Sequence, residues 1–263
     1  MRGRWVIPVL VLAVCTAAPA QRPSAGEQRR TLDAAREKVL TYSSTLPDFI
    51  CNEMVQRVES LGGAANTTTQ KLTIQLSYFG QRETYKVVAI DGSRTDQSLE
   101  SLGGFVSAGE FGSLLLRVFE ASSKADFEWK RSSTVRKRKA VTYSYRVARA
   151  TSHYVIGYRT DAGQNVETLA GYHGEVVLDS ETLGVLRITA IADDIPKESE
   201  IVESSVEVDY DFADVAGKSY LLPARAQTGM IRSYRTLRNV VSFVGYRKFE
   251  AESTIDFGGH AGK

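Results

Sequence analysis

The sequence predicts an α+β protein built on one large, curved antiparallel sheet, a half-barrel of about 10–11 strands with helices packed on it. Many short segments alternate apolar and polar residues, most regularly over Val206–Phe212, as a strand with one wet and one dry face requires. Turn residues separate these segments, and the strand–helix alternation of a parallel sheet is absent. A sheet this large must curl or split, which favours a curved half-barrel.

The C-terminal part of the chain is predicted to be a long meander. Its predicted strands are Gly171–Asp179, Val185–Ile188, Val206–Phe212, Ser219–Ala226 and Asn239–Phe249. Residues 180–184 form a tight turn between the first two. In the N-terminal half, further strands are predicted over residues 48–58, 72–76, 84–90, 126–135, 141–147 and 153–158.

Two helices are predicted. The first covers Arg30–Thr41, where part of an apolar stripe recurs at helical spacing before Pro47. The second is stronger, since its large apolar residues fall at i, i+3, i+4, i+7 and i+8, with a capping-box pattern at Ser107 and Glu110. The residues of this stripe are Phe111, Leu114, Leu115, Val118 and Phe119. Such a stripe either covers the dry face of the sheet or lines a ligand cavity.

The N-terminus has the order of a secretory signal. Arg2 and Arg4 precede an apolar run over Trp5–Cys15, and Ala18-Pro19-Ala20 follows as a cleavage motif. We therefore expect a signal peptide over residues 1–20, a flexible leader over 21–28, one domain over 29–257 and a disordered tail over 258–263. Export to the periplasm follows, with no transmembrane span after cleavage.

Charge and cysteine content exclude several function classes. Loss of Arg2 and Arg4 lowers the 33 basic residues to 31, equal to the 31 acidic ones, so nothing indicates nucleic-acid binding. The basic run Arg136–Lys139 is interpreted as a solvated hairpin tip, with a nucleic-acid or phospholipid contact as the alternative. Cys51 remains as a single cysteine, which we expect to be buried.

No catalytic constellation is apparent. His173 and Glu175 share a strand face and could form part of a zinc site, but no third ligand follows at a fixed spacing. Asp193-Asp194 lack the spacing of a calcium loop. Motifs for nucleophilic, metal-dependent or nucleotide chemistry are missing, so the sequence predicts a non-enzyme without cofactor or metal.

Two resemblances bear on the fold. Gly109-Glu110-Phe111-Gly112, Tyr172-His173-Gly174 and Leu221-Leu222-Pro223 resemble a family of exported acidobacterial proteins, a resemblance that implies no activity. Gly174–Asp179, followed by Thr182–Ile188, resembles the strand, aspartate, Glu-Thr-Gly turn and strand of the lipoprotein carrier LolA and its relatives LolB and RseB. Leu183 departs from that pattern by lengthening the turn. This resemblance implies a half-barrel closed by helices around an apolar cavity for acyl chains.

We therefore expect a carrier that binds a lipid or a lipoprotein acyl chain between sheet and helices. The residues expected to line or cover the cavity are Phe111, Leu115, Val118, Phe119 and Trp129. A module with a filled core that binds another envelope protein is the main alternative, as the resemblance to RseB suggests. An outer-membrane barrel and an enzyme using His173 and Glu175 agree less well with the predicted helices and the missing motifs.

Overall fold

The structure is a computed structural model that describes residues 22–63, 66–102, 113–160 and 162–249. Within these residues one twelve-stranded antiparallel sheet curves without closing, and two α-helices pack on it. The predicted fold class is confirmed. Among the described residues, no helix combines the length and apolar character needed to cross a bilayer.

The elements follow the predicted order with longer strands. The helices are α1 (Ala25–Thr45) and α2 (Ser113–Phe119). The strands are β1 (Phe49–Leu61), β2 (Thr67–Phe79), β3 (Arg82–Ile90), β4 (Ser93–Arg94), β5 (Asp126–Val135), β6 (Arg138–Val147), β7 (Tyr154–Arg159), β8 (Asn165–Asp179), β9 (Val185–Asp193), β10 (Ile201–Val215), β11 (Lys218–Arg232) and β12 (Arg235–Lys248). Because it has only two residues, β4 carries no alternation that the sequence could reveal.

The sheet joins the two halves of the chain at its centre. Its strand order is β4-β3-β2-β1-β12-β11-β10-β9-β8-β6-β5, and β7 pairs with the first part of β8. The long-range pair β1–β12 brings together residues that are remote in sequence, such as Val55 opposite Val241. Rows of side chains therefore run across strands from both ends of the chain.

Helix α1 begins earlier than predicted. Ser24 caps it, since the Glu27 amide donates to Ser24 Oγ at 3.3 Å and the Ser24 amide donates to Glu27 Oε2 at 2.8 Å. This is the reciprocal capping box. The helix thus occupies part of the predicted leader over residues 21–28, because local hydrogen bonds start it where the apolar stripe is still absent.

Tyrosine hydroxyls attach the helices to one face of the sheet, which we call the inner face. Tyr42 on α1 donates to the carbonyl of Leu221 at 2.8 Å. Tyr172 on β8 donates to the carbonyl of Arg117 on α2 at 2.7 Å. Each ring supplies apolar area to the core while its hydroxyl satisfies a backbone carbonyl.

The turn after β8 is built by Asp179. Its Oδ1 accepts from the amides of Glu181 (2.9 Å) and Thr182 (2.7 Å), and Arg138 Nε donates to its Oδ2. The added residue, Leu183, adopts a φ of 57°. Burial alone would raise the pKa of Asp179, but Arg138 and the two amides outweigh it and lower the pKa from 3.8 to about 2.

We expect Asp179→Asn to lower the free energy of unfolding at pH 7 by about 2 kcal/mol, because the substitution removes the charge that these donors stabilise. A carboxyl group whose pKa is lower in the folded than in the unfolded state stabilises the fold at pH values above the unfolded-state pKa. This contribution should therefore disappear as the pH falls from 3.8 to about 2. Urea unfolding between pH 7 and pH 2 measures both effects. Asp214→Asn is the control, since Asp214 accepts a single amide in an exposed turn; an equal loss in both variants would contradict the assignment.

Candidate functional site

The predicted lining residues on α2 lie in the packed core. Leu115, Val118 and Phe119 expose 2%, 0% and 1% of their surface, and the Phe119 ring centroid lies 5.3 Å from that of Phe127 on β5. Leu116, the exception to the predicted stripe, is half-buried. These side chains are buried between α2 and the sheet as part of the hydrophobic core. Phe111, with the predicted cap at Ser107 and Glu110, lies outside the described residues.

Trp129 lies apart from that cluster, on the edge strand β5. Its ring is half-buried against the core, and Arg22 Cζ lies 5.5 Å from the ring centroid. The indole Nε1 is buried and has no hydrogen-bond partner among the described residues. The structure therefore places Trp129 beside the start of the described chain.

Two cavities among the described residues lie elsewhere. One, of about 640 Å³, is at the ends of β9 and β10 and is lined in part by Asp193, Asp194 and Lys197. Another, of about 390 Å³, crosses β9 to β12 around Gly229. Neither of these two is lined by the predicted residues of α2 or by Trp129.

His173 and Glu175 are on the same face, as predicted, but each has its own partner. His173 Nδ1 lies 2.9 Å from Asp193 Oδ2, and Arg131 makes a bidentate ion pair with Glu175 at 2.8 and 3.0 Å. In the part of the chain that the structure describes, no three potential ligands come together for a metal ion. These two residues therefore support the sheet's outer face, opposite the helices.

Two of the four basic residues at the hairpin tip pair with carboxylates. Arg136 Nε lies 3.4 Å from Asp211 Oδ2, and Arg136 Nη1 lies 3.8 Å from Asp209 Oδ1. Arg138 pairs with Asp179. Each of these two arginines thus has an acidic partner on the sheet. Cys51 is fully buried, as predicted, and burial raises the pKa of its thiol to about 12.

The centre of the inner face is an apolar band made by one row of opposed residues. The register places these side chains opposite one another on successive strands: Leu72, Val55, Val241, Ala226, Val208, Ile188 and Val176. All are buried. Valines and an alanine occupy the middle of the band, whereas large tyrosines such as Tyr143 and Tyr78 lie toward the edges of the inner face. The middle of the curved sheet is thus both apolar and lined by short side chains.

A polar row lies two residues along each strand from the apolar band. Gln70, Arg57, Asn239 and Thr228 are opposite one another on β2, β1, β12 and β11. Arg57 and Thr228 expose only 9% and 2% of their surface, and both Arg57 Nε and Thr228 Oγ1 are buried without a hydrogen-bond partner in the described residues. Buried polar atoms without partners are costly and uncommon, so this row is the candidate functional site.

Arg57 lacks a counter-ion within the described ranges. Its Nη1 donates to the carbonyl of Leu102 at 3.3 Å, in the segment that follows β4. The nearest carboxylate along β1 on this face is that of Glu59, which pairs with Arg235 at 2.9 Å. Burial lowers the pKa of Arg57, and Glu59 offsets part of that effect.

No sequence motif predicted this row. Arg57 and Glu53 fall in the same alternating phase as Phe49 and Val55, so charged residues interrupt the dry side of a predicted strand. That interruption is the feature of the sequence from which the polar row could have been suspected. The partners Asn239 and Thr228 could not be found locally, because only the pairing of β1 with β12 brings them beside Arg57.

Comparisons with known proteins identify distant structural likenesses. No protein-family model matches the chain, and no curated protein is similar to it. A domain described as outer membrane lipoprotein-sorting, from Vibrio parahaemolyticus, has a TM-score of 0.43 at 10% identity and covers 88% of this chain and 97% of its own. A LolA superfamily protein from Nitrosomonas europaea has a TM-score of 0.35 at 10% identity, covering 84% and 94%.

A DUF1329 family protein from Desulfovibrio piger has a TM-score of 0.38 at 11% identity, covering 85% of this chain and 95% of that protein. The LolA group, which the sequence resembles at the turn after β8, is thus among the structural matches. Since all three TM-scores are below 0.5, the matches carry no inference about what this chain binds.

Proposed function

We propose that this chain is an exported, non-enzymatic carrier that holds a lipid or a lipoprotein acyl chain on the inner face of its sheet. The observation that carries the proposal is the apolar band with short side chains at its centre, Val55, Val241, Ala226 and Val208. An extended chain lying across the band would gain about 0.8 kcal/mol for each methylene buried. Periplasmic location rests on the predicted signal peptide.

The cover of the inner face supports entry of a ligand near β1. Tyr42 fixes helix α1 to β11 through the carbonyl of Leu221, and Tyr172 fixes α2 to β8. Beside the polar row lies Leu102, in the segment that follows β4; its carbonyl contacts Arg57 and its side chain is only partly buried. Since this segment meets Arg57 through a 3.3 Å hydrogen bond, we propose that it moves when ligand binds.

We expect Val241→Trp to abolish ligand uptake while the protein still folds, because the indole would occupy the space proposed for the acyl chain. Val240→Trp is the matched control, since this neighbour in sequence lies on the opposite face of β12. Displacement of a fluorescent fatty acid measures uptake, and thermal unfolding checks the fold. Equal uptake by both variants, or a Val241→Trp protein that unfolds because no space exists there, would contradict the proposal.

One observation favours a second candidate, a module that binds another envelope protein through a filled core. Leu115, Val118 and Phe119 are almost completely buried at α2, as a filled core requires. The outer face also exposes apolar residues, with Val202 67% and Ile191 40% exposed. Single exposed apolar residues are common on monomeric proteins, so the carrier remains the better supported function.

A further inference from the structure

We infer that Arg57 and Thr228 bind the anionic head group of the ligand, a carboxylate or a phosphate, beside the apolar band. This inference rests on the proposed carrier function and specifies the chemistry of its ligand. A purely apolar ligand would need no charge on the inner face, and a guanidinium there would only weaken its binding.

The first reason is that the charge of Arg57 is only partly compensated within the described residues. Burial of a cation is costly unless an opposite charge or hydrogen bonds compensate it. In the described ranges Arg57 makes one hydrogen bond, to the carbonyl of Leu102, and forms no ion pair. The carboxylate of Glu59 is held by Arg235. An anion from outside the chain would supply the missing compensation.

The second reason is the pair of unpartnered donors. Arg57 and Thr228 lie on β1 and β11, separated by Asn239 on β12, so their Cα atoms are about 10 Å apart. A guanidinium fork can bind two oxygens of one carboxylate or phosphate, and a threonine hydroxyl can donate to a further lone pair. Within the described residues, both Arg57 Nε and Thr228 Oγ1 are available to make such bonds.

The position of the pair relative to the apolar band fixes the orientation of the ligand. Val55 and Ala226 lie two residues from Arg57 and Thr228 on the same strands and the same face, about 7 Å away. Leu237 and Met230 are on the other side of the row. An anion held by the polar row would therefore place its attached chain directly on the apolar band, in surroundings dry enough to strengthen the ion pair.

The test compares three probes with the same twelve-carbon chain: laurate, dodecyl phosphate and 1-dodecanol. The wild-type protein should bind one or both anions at least about tenfold more tightly than the neutral alcohol. Arg57→Met should remove that preference while dodecanol still binds, and Thr228→Val should reduce it several-fold. Arg238→Met is the control, since Arg238 lies on the opposite face of β12 and bonds to Gln227.

The outcomes separate the inference from the proposed function. Equal affinity of the wild-type protein for all three probes would overturn the head-group inference and leave the carrier intact. Retention of anion preference in both Arg57→Met and Thr228→Val would also overturn it. If none of the probes binds, the carrier proposal fails and the inference fails with it. A preference for laurate over dodecyl phosphate, or the reverse, would support the inference and identify the head group.

Discussion

Gly174→Ala should lower the free energy of unfolding by about 3 kcal/mol or more, a large loss for the addition of one methyl group. A Cβ at Gly174 would lie 1.9 Å from the carbonyl oxygen of Thr189 and 2.7 Å from its carbon, and both atoms belong to the backbone of β9. The strand cannot withdraw without breaking the β8–β9 ladder. Urea unfolding measures the loss, which we expect to leave little folded protein at physiological temperature.

A tyrosine bonds to the same carbonyl that crowds Gly174. Tyr145 lies directly opposite Gly174 on β6, and its hydroxyl donates to the carbonyl of Thr189 at 2.5 Å. The tyrosine therefore reaches from β6 past Gly174 to β9, where the Thr189 backbone itself leaves no room for a side chain on β8. Gly229→Ala is the control, because a Cβ there would meet only the Ser205 hydroxyl, at 3.1 Å. A similar loss of stability in both variants would contradict this explanation.

Phe119→Ala should lower the free energy of unfolding by about 3–5 kcal/mol, since it would leave a cavity in a filled part of the core. The ring is 1% exposed and packs against Phe127, and its backbone carbonyl accepts from Arg36 Nε at 3.0 Å. Loss of the ring would thus weaken the contact of α2 with the sheet, while the backbone hydrogen bond to Arg36 on α1 would be kept. Denaturant unfolding followed by tryptophan fluorescence provides the measurement.

Phe79→Ala is the control for this prediction, because its ring is 58% exposed at the end of β2. We expect a change below about 1 kcal/mol there. A different result would contradict the packed position of Phe119. If Phe119→Ala changed the free energy of unfolding as little as Phe79→Ala while fatty-acid uptake fell, Phe119 would line a ligand cavity, as its place on the helical stripe predicts.

Local sequence patterns predicted the sheet well because alternation is a property of each strand by itself. Val206–Phe212 and residues 72–76 both fall within observed strands, and the stripe over Leu114–Phe119 is buried as a helical face should be. The predicted ends of the helices and strands were less accurate. The capping box at Ser24 extended α1 beyond its apolar stripe, and pairing with β7 extended β8 back to Asn165.

The candidate site could not be predicted in the same way, because it depends on register between remote strands. Arg57 interrupts the apolar phase of β1, and this interruption is visible in the sequence. Its neighbours Asn239 and Thr228 become visible only when β12 pairs with both β1 and β11. The strongest helical stripe contains buried residues, since amphipathic spacing identifies burial and does not by itself distinguish a core side chain from one that lines a cavity.

Native mass spectrometry of residues 21–263, purified from a bacterial periplasm and incubated with laurate, tests the carrier proposal most directly. A carrier should give an adduct of one lipid or one laurate per chain, absent after organic extraction and restored when laurate is added. A clean mass for the unliganded chain both before and after addition, from protein whose unfolding is cooperative, would contradict the proposal and favour the protein-binding module.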